Sequence, residues 1–151
     1  MKTIARNVLS VILGYIIGSV VNMTVLYAGM AIIPLPDGAD VSTPEALRES
    51  MSLFTPANFL PPFMAHAIGT FVGAFVAAKI SVSHRMKMAF CTGGLFFLGG
   101  TAMIVQLGGP PWFIGSDLVL AYFPTAYLGG RLATGRNRSA ERASEGSTAS
   151  N

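Results

Sequence analysis

Residues 8–33 read VLSVILGYIIGSVVNMTVLYAGMAII, a run of about 26 residues without an acidic or basic side chain. A bilayer core is about 30 Å thick, so a helix that spans it needs roughly 20 mostly apolar residues. The run meets that length, and it exceeds the apolar core of a cleavable signal peptide, which has about 7–15 residues. We therefore predict a retained transmembrane helix here.

Three further apolar stretches have nearly the same length, at residues 59–80, 88–107 and 116–133. Lipid offers no partners for backbone N–H and C=O groups, so such stretches are expected to be helical. Only 11% of the chain is charged, whereas a soluble domain carries about a quarter. We expect an all-α polytopic membrane protein with a four-transmembrane-helix bundle in residues 1–134. The polar residues 135–151 lack apolar periodicity and are predicted to form a disordered cytoplasmic tail.

Basic residues alternate between the predicted connections. The connections after the first and third spans together contain one basic residue, Arg48, and a larger number of acidic residues. The other nine Lys and Arg residues lie at the N-terminus, between the second and third spans, or after the fourth span begins: Lys2, Arg6, Lys79, Arg85, Lys87, Arg131, Arg136, Arg138 and Arg142. Because cytoplasmic loops carry the excess of basic residues, both termini are predicted to be cytoplasmic. No soluble basic face is available for nucleic acid, so no nucleic-acid partner is expected.

The first outer loop contains a helix signal. Ser42 or Thr43 precedes Pro44 and Glu45, which is the pattern of an N-terminal cap. The residues that follow place Leu47, Met51 and Phe54 on one helical face. We predict a short amphipathic helix that covers the outer end of the bundle or lies on the membrane surface.

Small residues recur at every fourth position in the second and fourth spans, and glycines mark the first span. Small residues let transmembrane helices approach closely. The predicted helix-packing residues are Gly14, Gly18, Ala65, Gly69, Gly73, Ala77, Ala121, Thr125, Gly129 and Ala133. The two aligned stripes suggest two related helical hairpins. Some of these stripes are also expected to serve a homo-oligomer or a membrane partner protein, in addition to contact with the lipid bilayer.

Polar side chains inside the predicted spans are concentrated in the outer half of the membrane. Polar groups in lipid are costly, so each is a candidate for function. Counting 1.5 Å per residue along each helix, we predict an outward-open polar pocket lined by Asn22, His66, Gln106, Asp117 and Tyr122. A histidine can change its charge near neutral pH, so the pocket would suit a cation, a proton or a polar headgroup. The alternative is structural: His66 donates to a backbone carbonyl and Asp117 caps the fourth helix.

Other chemistry has little support. His66 and His84 are predicted at different depths, so they do not suit a haem with two axial histidines. No Ser or Cys has a convincing His and acidic partner for nucleophilic catalysis. We therefore predict no metal, no cofactor and no catalytic residue.

Several segments resemble a known group. The stretch HAIGTFVGAFVAAK at residues 66–79, together with Gly99-Gly100, Pro111-Trp112-Phe113, DLVLAY at 117–122 and GGRLA at 129–133, is similar to an uncharacterised family of small four-span bacterial inner-membrane proteins. The likeness covers about residues 5–134 and implies a location in the bacterial inner (plasma) membrane, without indicating an activity.

Three functions are compatible with these features. We expect first an integral inner-membrane protein that is not an enzyme and that associates with itself or with a partner protein. The alternative is a small transporter or channel that uses the outer pocket. An enzyme that acts on lipid comes third, because such an enzyme would gather several acidic, basic or histidine groups at one interface.

Overall fold

The computed structural model describes the backbone of residues 2–148 and the side chains of residues 3–135. Within that part the chain is helical and has no strand, so the predicted all-α class is confirmed. The α-helices are α1 (Lys2–Ile32), α2 (Pro44–Ser50), α3 (Leu60–Ile80), α4 (Arg85–Leu107), α5 (Pro111–Leu120) and α6 (Phe123–Thr148). Two short 3-10 helices, Met51–Leu53 and Pro56–Phe59, connect α2 to α3.

Three helical segments of the described chain are long and apolar enough to cross a membrane: Thr3–Ile32, Pro56–Ile80 and Arg85–Leu107. They correspond to the first three predicted spans. The chain therefore has the character of a membrane protein, as its composition indicated.

The fourth predicted span is not one continuous helix. Residues 116–133 fall on α5 and α6, which are separated by a turn at Ala121 and Tyr122. Pro124 explains the break, because it has no N–H to pair with the carbonyl of Leu120 and its ring would clash with that carbonyl. The prediction of a single apolar helix here was wrong, and a bundle of four continuous spans is not confirmed.

The most extensive helix contact is between α1 and α3. A Cβ atom added at Gly14 would lie 2.5 Å from the carbonyl oxygen of Gly73, and one added at Gly73 would lie 2.8 Å from the carbonyl oxygen of Gly14. Gly18 and Gly69 meet one turn further along in the same way. Backbone packs directly on backbone at these crossings, which is how small residues hold helices together where lipid supplies no hydrophobic drive.

Helix α3 is the centre of the fold, because it contacts α1, α4 and α6. On its second side, Gly129 of α6 packs against the backbone at Phe71 and Phe75. Among the predicted packing residues Thr125 is half-buried, and the others are buried. The proposed relation between two hairpins stays a prediction.

The two ends of the bundle are closed differently. At the end that carries α2, called the α2 end below, Thr43 caps α2 by accepting from the Ala46 N–H at 3.1 Å, so the predicted short helix is present. There too, the Asn58 amide donates to the Pro34 carbonyl at 3.0 Å. At the opposite end, Asn7 donates to the Ser83 hydroxyl at 3.0 Å and so joins the start of α1 to the α3–α4 turn.

The chain after the bundle continues α6 as far as Thr148. Side chains beyond residue 135, and residues 149–151 altogether, lie outside the described part. The predicted disorder of residues 135–151 therefore stays a prediction.

Candidate functional site

Three of the polar residues singled out from the sequence meet in one cluster, the polar cluster, formed by His66, Asp117 and Tyr122. Nδ1 of His66 lies 2.9 Å from Oδ1 and 3.0 Å from Oδ2 of Asp117. The hydroxyl of Tyr122 donates to Oδ2 of Asp117 at 2.8 Å and lies 3.0 Å from Nδ1 of His66. The predicted alternative, with His66 donating to a backbone carbonyl, is not the arrangement found.

Burial constrains the hydrogen bonds of this cluster. The Asp117 side chain is 1% exposed and that of His66 is 24% exposed. A buried carboxylate needs hydrogen-bond donors, since its desolvation is otherwise uncompensated. An ionised carboxylate can only accept. When Asp117 is ionised, Nδ1 of His66 therefore donates a hydrogen bond to the carboxylate, as the Tyr122 hydroxyl does, and Nε2 on the other side of the ring makes none of these hydrogen bonds.

The helix break positions two members of the cluster. Helix α5 begins at Pro111, so Asp117 lies inside the helix and is not the N-terminal cap that the sequence suggested. The N–H of Ala121 still bonds to the Asp117 carbonyl at 3.0 Å, and Tyr122 then falls in the turn before α6. The turn places the phenol beside the carboxylate that precedes it by five residues.

Gly100 of α4 makes room for the phenol. A Cβ atom added there would overlap the Tyr122 hydroxyl. The sequence singled out Gly99 and Gly100 only as part of the resemblance to a known family. The structure distinguishes them, because a Cβ atom at Gly99 would meet nothing within 4 Å.

An apolar cavity of ≈ 320 Å³ opens above the polar cluster, toward the α2 end. His66 and Asp117 line it together with residues of α1, the first loop, α3, α4 and α5. Most of the lining is aliphatic, methionine or aromatic: Leu26, Tyr27, Met30, Leu35, Val41, Leu47, Met51, Phe54, Phe59, Pro62, Met103, Ile104, Leu107 and Phe113, together with Asn58, Gly100 and Gly108. The predicted pocket was polar, whereas this cavity is apolar with polar groups at one place.

Asn22 and Gln106, the other two residues of the predicted pocket, do not line this cavity. Asn22 packs against Gly69 at the contact between α1 and α3. Gln106 is exposed on α4. Counting residues along a helix gives a height in the bundle, but it does not give the side of the helix on which a residue lies.

A second, more open groove of ≈ 510 Å³ adjoins the cavity at the α2 end. It shares Phe54, Phe59 and Leu107 with the cavity, and its charged lining residue is Arg48. Trp112 also lines it, with its ring 5.5 Å from that of Phe59. The basic side chain therefore lies in the surface groove and not beside the polar cluster.

Buried polar groups continue below the polar cluster. Thr70 lies one helical turn from His66 on α3 and is fully buried. Within residues 3–135, its hydroxyl oxygen is the one buried side-chain polar atom that has no hydrogen-bond partner. Thr92 is equally buried, but it donates to the Met88 carbonyl at 3.1 Å. Unused hydrogen-bonding capacity therefore lies directly beneath the polar cluster.

The lining of the cavity offers few of the side chains used in covalent catalysis and metal binding. The described residues that line the cavity include no Ser, Thr, Cys or Lys that could serve as a nucleophile beside His66. Within the described part of the chain, no group of three or more His, Cys, Asp and Glu residues is placed to hold a metal ion. The imidazole of His66 therefore adds a hydrogen-bonding group to the wall of an apolar cavity.

The comparisons with known proteins add no relative to this picture. No family model, no curated protein and no solved structure matches the chain.

Substitution of Gly100 tests whether the Tyr122 hydroxyl occupies the position described in the polar cluster. Gly100→Ala is expected to destabilise the protein by about 1–3 kcal/mol through overpacking, whereas Gly99→Ala is expected to stabilise it by about 0.5–1 kcal/mol, since alanine is the better helix former. Tyr122→Phe removes a hydrogen bond to a charged group and is expected to cost about 1.5–3 kcal/mol. Unfolding by SDS in mixed micelles measures all three.

The combined variant is the control for the mechanism. If the added methyl group pushes the phenol away from Asp117, the costs of Gly100→Ala and Tyr122→Phe overlap and their sum exceeds the cost of the double variant. Strict additivity, or equal effects at Gly99 and Gly100, would show that the Tyr122 hydroxyl does not occupy the place described.

Proposed function

We propose that the chain is a multi-pass bacterial inner-membrane protein in which α5 and α6 together make a fourth crossing, with both termini in the cytoplasm. Residues 111–133 would rise about 34 Å at 1.5 Å per residue, which suffices for a bilayer core of about 30 Å. Contact of α6 with α3 and α4 supports this arrangement. So does the alternation of basic residues along the sequence. The α2 end then faces away from the cytoplasm.

The topology has a direct test. Single cysteines placed at residue 38 and, separately, at residue 135 on a Cys91→Ala background are to be treated with a membrane-impermeant thiol reagent on intact cells. The proposal predicts labelling at 38, and labelling at 135 only after the membrane is opened. Labelling at 135 in intact cells would mean that α5 and α6 do not complete a fourth crossing.

The function supported best is the binding or transport of an amphipathic molecule from the outer half of the membrane. The observation that carries it is the junction of an apolar cavity of ≈ 320 Å³ with the acid–base pair His66 and Asp117. Concave, mostly apolar sites with a few convergent polar groups are typical of small-molecule binding. A site at the break of a discontinuous helix is also common in transporters.

The cavity limits the size of the ligand. With about 30 Å³ for each water-sized group, a cavity of ≈ 320 Å³ holds about ten non-hydrogen atoms. Two exposed lining residues, Tyr27 on α1 and Met103 on α4, place part of the wall at the surface of the bundle. A chain-like apolar group with one polar end is the ligand shape that fits.

Self-association or a partner protein stays a prediction from the small-residue stripes.

Photolabelling tests whether the cavity is used. A decanol that carries a diazirine on its chain is to be photoactivated with the protein in lipid nanodiscs, and the modified residues are to be mapped by mass spectrometry. Saturable labelling is expected at Met30, Met103 and Leu107, all of which line the cavity.

A matched pair of neighbouring residues controls for labelling from the lipid. Ile104 lines the cavity, whereas Val105 is 81% exposed on the outside of α4. Ile104→Trp is expected to lower the saturable labelling roughly tenfold, equivalent to ~1.4 kcal/mol, and Val105→Trp is expected to leave it unchanged. Labelling that does not saturate, or equal effects of both variants, would contradict the proposed function.

A further inference from the structure

One acidic side chain, Asp117, lines the cavity, and when it is ionised no Lys or Arg of the described lining residues balances its charge. Asp117 receives hydrogen bonds from His66 and Tyr122, and neither donor needs to be charged. No Lys or Arg occurs in the described lining of the cavity. Arg48 lines the neighbouring groove at the α2 end instead. An ionised carboxylate in an apolar interior is unfavourable until it is neutralised or paired with a positive charge, and either a proton or a cationic ligand can do this.

The titratable groups around the cavity are few and can be named element by element. Helix α1 contributes Tyr27, α3 contributes His66, and α5 contributes Asp117. The turn before α6 brings Tyr122 against the last two. The first loop, α2 and α4 contribute no titratable residue to the described lining. Of these groups only His66 becomes positive when it takes up a proton, so it is the internal source of balancing charge.

The lone pair of Nε2 selects the polar group of the ligand. Nδ1 of His66 is committed to Asp117 and Tyr122, which leaves Nε2 as an acceptor when the ring is neutral. A primary ammonium group donates a hydrogen bond to that atom and also brings the missing positive charge. A carboxylate or phosphate would instead meet a second negative charge and a bare lone pair.

We propose that the cavity binds a lipophilic primary ammonium ion, and that its entry releases the proton held on Nε2 of His66 to the outer solution. One ammonium ion enters and one proton leaves, so the net charge of the polar cluster together with its ligand is the same before and after. This inference rests on the proposed function, because it requires an apolar chain to occupy the cavity.

Three probes with the same chain test the ligand class: n-decylammonium, 1-decanol and decanoate. Each is to compete with the photoreactive decanol for wild-type protein in nanodiscs of zwitterionic lipid, near the upper end of the range of pH 5–8 in which histidine changes its charge. The expected order is n-decylammonium at least tenfold stronger than 1-decanol, with decanoate weakest. Asp117→Asn is expected to remove the advantage of the ammonium ion and to keep binding of 1-decanol.

The proton exchange has its own readout. Lowering the pH from roughly 8 to 5 is expected to weaken competition by n-decylammonium, because the proton and the ligand then compete for the same charge, and to leave 1-decanol unaffected. In weakly buffered solution, n-decylammonium is expected to release up to about one proton per protein. His66→Gln is expected to abolish both the pH dependence and the proton release.

The second histidine provides the control. His84 lies in the turn at the opposite end, with a positive φ of 54°. Asparagine tolerates that conformation, so His84→Asn is expected to keep the wild-type pH dependence and proton release.

Each outcome distinguishes the inference from the proposed function. If 1-decanol competes as well as n-decylammonium, the ligand class is wrong and the cavity still binds chains. A preference for decanoate, or ammonium binding without pH dependence in the wild type, also overturns the inference. If no probe competes with the photoreactive decanol, both the inference and the proposed function fail.

Discussion

The geometry of the rest of the site depends on the buried carboxylate of Asp117. A carboxylate that is 1% exposed needs donors placed against it, and the chain supplies them from two separate segments. Nδ1 of His66 comes from the long helix α3, and the Tyr122 hydroxyl comes from the turn that Pro124 creates. The break in the last helical pair is therefore what allows both donors to meet one acceptor, and the helix contacts around it hold that geometry.

Part of this architecture was predictable from the sequence. Length and apolar content identify three spanning helices, because a bilayer of fixed thickness leaves little freedom in either. Hydropathy gives no weight to the backbone effect of one proline, so the break at residues 121–122 was missed although Pro124 was visible in the sequence. The difference between Gly99 and Gly100 was not predictable, since it depends on which side of α4 receives the phenol.

In the candidate site, too, the depth of a residue in the membrane was easier to predict than the side of the helix on which it lies. His66, Asp117 and Tyr122 were all predicted in the outer half of the membrane, and they lie in contact. Asn22 was chosen by the same depth argument, but it points into the contact between α1 and α3. Gln106 is exposed on the outside of α4. Rise per residue fixes depth, whereas the side on which a residue lies depends on how the helices pack. The apolar wall of the cavity was missed because its residues come from several distant segments.

The most direct test of this account is the protonation of the His66 ring in a lipid bilayer. His84→Asn leaves His66 as the single histidine of the chain, so ¹⁵N NMR with labelled histidine observes that ring alone. At alkaline pH, where a histidine holds one proton, the account predicts that Nδ1 carries it in a hydrogen bond and that Nε2 is bare. A proton on Nε2 with Nδ1 bare would contradict the account, because Asp117 would then have no donor from His66.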